Sequence, residues 1–580
     1  MRKRNIVLTV LALALAAMTL SAATIYPINQ AEMLAGAKFD FKVEFDSVVT
    51  SYSVKINGLN YTRVLGGVGD LITETLPDGS EASALILRDA ALSAGEYTVT
   101  AKSGDDYQTV SWSVFPAAEE AQAKSVIVLI ADGMSVAHRT AARIMEKGNV
   151  EGTSQGILNI DKMERLGMMG TSSVDAITVD SANSMSAYMT GHKSSINAIG
   201  VYADRTSDPF DDPKQENIAE LLRRTSGKSI GIVSDAELED ATPAAVVAHT
   251  RKRAEKAAIV GAFYEVQPEV ILGGGSAYFI PQEVTGSKRT DSINYVQEFA
   301  DAGYTVVTSA TELEAIQADL PEKLLGLFHT GNMDGALDRL ILGSNTVSKF
   351  PDQPDLTRMA ETALDILSKN EEGFLLMVEA ASVDKFTHPM DWERAVYDFL
   401  MFDQVIGIMQ AYCDANPDTL LVVTGDHTHS VSVYGTVDDS KPVVNSIRDK
   451  LGTYADAGFV YYEDADGDGY PDDPYPTKRL AFSFGNHPSY YETFGTYPEG
   501  TFTPAVQDEN GLYVANEAYN VEGALYMEGN LPYSESQEVH AVDDQILSMS
   551  GPGSEQVKAY QENTKVFKYI VKALGIDPAK

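Results

Sequence analysis

The chain has 580 residues, with Lys+Arg 44 against Asp+Glu 83 and a formal net charge of -39. That length implies more than one domain, one of them large. So acidic a surface repels nucleic acid and anionic membranes, which removes both from the expected partners and favours divalent cations or a salty exterior.

Residues 1–23 place Arg2, Lys3 and Arg4 before an apolar run that ends in Ser21, Ala22 and Ala23. This order predicts a secretory signal cleaved after Ala23, with an uncleaved anchor as the alternative. No later segment is apolar over enough residues to span a bilayer, so the mature chain is expected to be exported, periplasmic or extracellular. Cys413 is the only cysteine. Without an internal disulfide, the exported protein must be held by its core or by metals.

Residues 24–116 alternate apolar and polar, as in KFDFKVEF, EYTVTAK and TVSWSVF. The period of two predicts a small antiparallel β-sandwich of immunoglobulin-like style, with no cluster of catalytic residue types. Residues 117–123, the end of PAAEEAQA, read as a linker. From Lys124 the pattern changes. SVIVLIADG, SIGIVSDAE, EVILGGG, GFLLMVEA and LLVVTGDHTH alternate with helix-like segments. Continuous apolar runs of this length are buried parallel strands, so residues 124–580 are expected to be α/β, a mainly parallel central sheet flanked by helices. Residues 430–537, rich in Gly, Pro, Tyr and Asp, read as an insertion on that core.

Chemistry-bearing residues gather where the apolar runs end: Asp132, Glu379, and Asp426 with His427. In open α/β sheets the carboxyl edge carries the site. Acids at three strand ends repel each other unless cations lie between them, so the set points to metal binding. VEAASVDKFTH adds Asp384 and His388, whose spacing of four puts both on one face of a helical turn. Imidazole with carboxylate and no thiolate suits zinc; an all-oxygen set favours magnesium. In TVDSANSMSAYMTG, Asp180 and Ser181 precede a run of small and hydroxylated residues, which fits either a helix cap or a nucleophile at a helix start.

These segments resemble the alkaline phosphatase family. IADGMSVAHRTAARI is similar to its first metal motif and VDSANSMSAYMTGHKSSINAIGV to its nucleophile motif. DAELEDATPAAVVAHTRKR, VEAASVDKFTH, TGDHTH and EVHAVDD follow in the family order. The resemblance covers most of residues 124–580 and none of 24–116. It implies a first zinc on Asp384, His388 and His540, and a second on Asp132, Asp426 and His427. It implies a magnesium on Asp132, Thr242 and Glu379, with Asp132 bridging. Ser181 would be the nucleophile and Arg253, rather than Arg251, the phosphate ligand, oriented by Asp180. Asp240 and Lys385 match the bacterial type, in which both act through water at the third site. His429 is expected to hold a carboxylate or Ser181 in place, while His192 and His249 are expected to be structural.

The implied function is hydrolysis of small phosphate monoesters through a phosphoserine. The family is often dimeric, although an added N-terminal domain and a long insertion could block that interface. A phosphodiesterase or sulfatase of the same superfamily, and a binding protein on an inactive phosphatase fold, are the rival readings. The third metal site and the absence of Cys at the nucleophile position weigh against the first pair, and the intact ligand set against the last. Separately, DADGDGYPDD at 464–473 offers Asp464, Asp466, Asp468, Tyr470, Asp472 and Asp473 as a candidate calcium loop. It lacks the closing Glu of an EF-hand, since Tyr475 stands there.

Overall fold

The computed structural model describes residues 23–579. The expected signal segment therefore lies outside the described residues except for Ala23, its last position. Ala23 is buried and opens a strand, Ala23–Tyr26, where it pairs with Phe45. The ladder partner extends that far, so Ala23 is held in the sheet.

Residues 23–115 form two sheets over one core. One sheet orders Ala23–Tyr26, Phe39–Phe45, Glu81–Ala90 and Asp70–Thr75. The other orders Glu32–Leu34, Asp106–Phe115, Gly95–Ser103, Ser53–Ile56 and Leu59–Asn60. Phe41, Val43 and Leu85 from the first meet Ile56, Val99 and Trp112 from the second, as the alternation requires. Pairing departs from the expected antiparallel pattern once: Glu32–Leu34 runs parallel to Asp106–Phe115. The chain reaches that edge from the opposite sheet rather than through a hairpin.

The large α/β body is built on a ten-stranded sheet. At its centre Ser229–Glu237, Phe374–Ala380, Ser125–Ala131 and Thr419–Thr424 run parallel. Gln545–Ser550 is antiparallel to both of its neighbours, so the sheet is mixed. The central strands are apolar on both faces because both are covered. Val126, Val128, Leu375, Met377, Leu420 and Val422 pack on one side; Ile127, Leu129, Leu376, Val378, Leu421 and Val423 pack on the other. Parallel register then aligns the carboxyl ends: Ile130 lies beside Glu379 on one side and Thr424 on the other. The sequence positions of Asp132, Glu379 and Asp426 thereby become one edge in space.

Residues after His429 build a three-stranded sheet, Val431–Asp438 between Leu451–Gly452 and Lys478–Phe484, followed by short two-stranded pairs. The segment sits on the helix Trp392–Ala415. Trp392 stacks on Phe482 at 4.4 Å, and fully buried Arg394 donates to Tyr497 O at 2.9 Å while pairing with Asp338 and Asp391. Among the described residues no helix is long and apolar enough to cross a membrane. Leu421→Ala, in the sheet centre, is expected to lower stability by about 2–5 kcal/mol through lost burial and a cavity. Denaturant titration at fixed metal concentration measures it.

Candidate active site

The helix Ser181–Thr190 begins where the apolar run of Val179 ends. Asp180 is its N-cap and accepts from Asn183 N at 3.1 Å. All ten helix residues are buried. The small side chains that looked unsuited to an ordinary amphipathic helix allow packing on every face. Ser181 is thus the first helical residue, where backbone N–H groups lack intrahelical partners and favour an anion. Its Oγ lies 3.4 Å from His427 Nε2 and 3.5 Å from Asp132 Oδ2.

Around it the expected ligands converge. Asp384, His388, His429 and His540 present ligand atoms within 4.8 Å of one another, as do Asp132, Asp426 and His427. Backbone acceptors fix two of the imidazoles. His388 Nδ1 donates to Glu538 O at 2.7 Å, and His540 Nδ1 to Val179 O at 2.7 Å. Both Nε2 atoms are then left as acceptors, 3.1 Å apart and 3.2 and 3.6 Å from Asp384 Oδ1. Lone pairs and a carboxylate aimed at one point repel unless a cation lies among them, which is the fit expected of a zinc site. Burial and the neighbouring His427 charge push His540 down to about 3, keeping it a neutral donor. At the second cluster burial opposes charge on His427, but Asp426 and Asp132 outweigh it and hold the ring up at about 9. Burial and Asp132 push Asp426 up to about 7. The pocket demands positive charge.

The third set is all oxygen. Glu379 and Thr242 are buried, and Thr242 Oγ1 has no hydrogen-bond partner. Burial, with Asp132 nearby, raises the Glu379 carboxyl well above its usual range. Ser234 Oγ donates to Glu379 Oε2 at 2.5 Å. Thr242 lies in the short helix Ala241–Ala244, which packs on the Glu379 strand, and its orphaned hydroxyl with these carboxylates suits a hard cation such as magnesium.

The cationic side chains are held by acids. Arg253 Nη2 donates to Asp240 Oδ1 at 2.7 Å, and its Nη1 lies 3.6 Å from Asp180 Oδ2. Lys385 Nζ lies 3.2 Å from Asp240 Oδ2 and 3.4 Å from Asp384 Oδ2. Burial would raise the Asp240 carboxyl, but Lys385 and Arg253 hold it well below the usual range. Arg251 turns elsewhere, donating to Thr206 O.

The alkaline phosphatase family model matches residues 123–576. The chain belongs to the alkaline phosphatase family. It is 30% identical over 356 residues to the tissue-nonspecific alkaline phosphatase of Gallus gallus, a match spanning 55% of this chain and 66% of that protein. It is 31% identical over 347 residues to alkaline phosphatase H of Pseudomonas aeruginosa, spanning 54% and 71%. The chain thus aligns with about two thirds of each relative. In fold it is similar to the Thermus thermophilus alkaline phosphatase, with TM-score 0.55, 24% identity, and 79% of this chain and 93% of that one covered. Against the alkaline phosphatase of the Antarctic bacterium TAB5 the TM-score is 0.53 at 20% identity, covering 79% and 99%. Members of this family are metal-dependent, and the clusters above are where such ions fit.

Several residues of the candidate site are not marked by any motif. Glu538 binds His429 Nδ1 on one side, while His429 Nε2 meets Asp384 Oδ1 at 2.8 Å on the other. Of its two expected roles, His429 therefore takes the one of holding a carboxylate. Ser135 Oγ donates to His429 O at 2.8 Å and accepts from His429 N at 2.9 Å. Gly133, at φ 67, leaves room for the ring: a Cβ there would meet His429 at 2.6 Å. Only the short gap between Glu538 and His540 in EVHAVDD hinted at Glu538. His192 binds the Tyr202 hydroxyl at 2.8 Å, and His249 bridges Gly200 O and Glu220, both at 2.9 Å; each ties backbone segments together.

In the acidic loop, Asp464, Asp466 and Asp468 lie within 4.8 Å of one another. Asp472 and Asp473 are not in that group. They accept instead from Ala465 N at 2.6 Å and Tyr475 N at 2.9 Å. The Tyr470 ring is buried, and its N–H goes to Asp468 Oδ1 at 2.8 Å. Glu538→Ala should free His429, loosen Asp384, and weaken zinc retention roughly 10–100-fold. Equilibrium titration with a competing chelator measures this.

Proposed function

We propose that the chain hydrolyses small phosphate monoesters through a phosphoserine on Ser181, releasing inorganic phosphate and an alcohol. The observation that carries this reading is the Ser181 hydroxyl at a helix start, facing Asp132 and His427, with Arg253 braced by Asp180 and Asp240. Asp384, His388 and His540 would hold one zinc; Asp132, Asp426 and His427 would hold the other. Asp132, Thr242 and Glu379 would hold magnesium. Bound there, the ions supply Lewis acidity that favours the serine alkoxide and stabilises the leaving oxygen.

The chain's own groups do the rest. The planar fork of Arg253 takes two phosphate oxygens, and Asp180 and Asp240 fix its plane. The free N–H groups at the start of Ser181–Thr190 add donors to the same phosphate. Ser181 Oγ attacks phosphorus in line as the ester oxygen departs with its alcohol, leaving phosphoserine. Water then attacks from the vacated side, the Ser181 Oγ–phosphorus bond breaks, and phosphate leaves. Asp240 and Lys385 act through water at the third site, and Lys385 adds positive charge near the phosphate. Neither nucleic acid nor a membrane span of the mature chain belongs to this reading. The rest of it is an exported enzyme with an N-terminal immunoglobulin-like domain, and a homodimer where the added segments permit.

Ser181→Ala is expected to abolish acid-stable labelling by phosphate ester and most turnover, with metal content near normal. Labelling of wild-type enzyme at any other residue would overturn the assignment. Replacing Asp240 and Lys385 together with His should make the third site take zinc more readily, because imidazole suits zinc better than magnesium. Metal analysis after growth in mixed ions reads this, and an unchanged zinc-to-magnesium ratio refutes it. The 464–473 loop is proposed to bind calcium through Asp464, Asp466 and Asp468, stabilising the native state by mass action rather than altering chemistry. A calcium-dependent rise in Tm at fixed zinc and magnesium should disappear in Asp466→Ala with Asp468→Ala. A rise that persists places the calcium elsewhere.

A further inference from the structure

Lys42 lies in the N-terminal strand Phe39–Phe45, yet its side chain is almost fully buried against the α/β body. Its Nζ meets Asp204, lies 2.6 Å from Glu74 and 3.3 Å from Glu44. From the other side Arg205 reaches back into the N-terminal sheets. It donates to Glu74 Oε2 at 2.8 Å, Phe45 O at 2.5 Å and Ser83 O at 2.9 Å. Arg88 completes the seam, donating to Asp40, to Asp212 O at 3.0 Å and to Asp211 O at 2.6 Å. Backbone follows side chain: Asp40 N donates to Lys214 O at 2.8 Å. A surface ion pair would add little, but charges buried this deeply fix geometry because each is costly to leave unpaired.

The segment gripped this way, residues 201–216, leads straight to the phosphate arm. Arg251 donates to Thr206 O and lies 3.8 Å from both Asp204 and Asp212. Ile199 and Thr250 exchange backbone hydrogen bonds at 2.7 and 2.9 Å, and Arg253 N donates to Asn197 O at 2.8 Å. Asn197 N in turn donates to Asp180 Oδ2 at 2.9 Å, the oxygen that faces Arg253. Every link is a direct contact, from the N-terminal sheets to the guanidinium.

We propose that the N-terminal sheets are a positioning element of the phosphatase site, acting through the ionic seam of Lys42, Glu74, Asp204, Arg205 and Arg88 to set the placement of Arg253. The proposal rests on Arg253 being the phosphate ligand. Arg88 and Arg205 are positioning residues in it and touch no substrate.

The test is a double-mutant cycle on the full chain with its metals. Arg88→Ala with Arg205→Ala is made alone and in the Arg253→Ala background. Inhibition by inorganic phosphate, KM, kcat and zinc content are measured. The seam variant should weaken phosphate inhibition and raise KM, roughly threefold to tenfold for a small displacement of a positioned group, with zinc content unchanged. In the Arg253→Ala background it should add nothing. A cooperatively folded seam variant with wild-type phosphate inhibition and KM overturns the proposal while leaving Arg253 in place. Full additivity overturns it too, because the seam would then act by another route. If Arg253→Ala itself leaves phosphate inhibition unchanged, the underlying reading of Arg253 fails and the proposal with it. Should the double replacement not fold, Arg88→Ala alone, at a partly exposed side chain, gives the same readings in the same directions.

Discussion

Everything in this molecule is arranged around a local excess of negative charge that the fold itself creates. Asp132, Glu379, Asp384 and Asp426 are all buried at one edge of the central sheet. Parallel register puts them there: strands covered on both faces must end together, and the loops that leave them start from neighbouring points. Burial and crowding raise the Glu379 and Asp426 carboxyls, whereas His427 holds Asp132 down against burial, and His388 with Lys385 does the same for Asp384. The chain supplies part of the compensation through Lys385, Arg253 and the imidazoles. The clusters are placed so that cations could supply the rest. The carboxylate excess favours cations, while Arg253 and Lys385, both held by Asp240, are the groups of the same pocket that suit an anion.

The parts of this design that were legible in the sequence share one property: they are local. Three of the apolar runs, SVIVLIADG, GFLLMVEA and LLVVTGDHTH, end at the site, so reading their ends found Asp132, Glu379, Asp426 and His427. The spacing of four between Asp384 and His388 described a single turn, and that turn exists, with Nε2 and Oδ1 3.2 Å apart. Asp180 and Ser181 were visible because capping acts over three residues. Long-range partners left no such trace. Glu538 reaches His429 across 109 positions and Asp204 reaches Lys42 across 162. Neither alternation nor helical period encodes a contact of that separation. In the acidic loop backbone N–H donors engage the carboxylates of Asp472 and Asp473 as well as those of Asp464, Asp466 and Asp468.

The N-terminal sheets show why a segment without catalytic residue types need not be a passive appendage. Their core is self-contained, with Trp112, Phe41 and Val99 packed among themselves. Their junction is partly apolar, with Leu34 and Phe115 joining the α/β core, and partly a buried ionic seam. An apolar junction gains free energy over a range of orientations, because the hydrophobic effect has no direction. Buried ion pairs tolerate far less displacement, since a shift of an ångström leaves a charge unpaired in low dielectric. The apolar contacts supply adhesion, and the ionic part of the seam adds a fixed orientation.

Asp180 shows how that fixed orientation reaches the phosphate. One carboxylate caps the helix that presents Ser181, accepting from Asn183 N, and its second oxygen accepts from Asn197 N while facing Arg253. The nucleophile's helix, the turn leading to the N-terminal seam and the phosphate arm consequently meet at a single side chain. A carboxylate has two oxygens and a short stem, so it cannot satisfy these partners unless all three elements hold their relative positions. The placement of Ser181 and that of Arg253 are thus not set independently, since both depend on Asp180. Through this side chain the N-terminal seam is joined by direct contacts to both Ser181 and Arg253 without placing a residue among the candidate ligands.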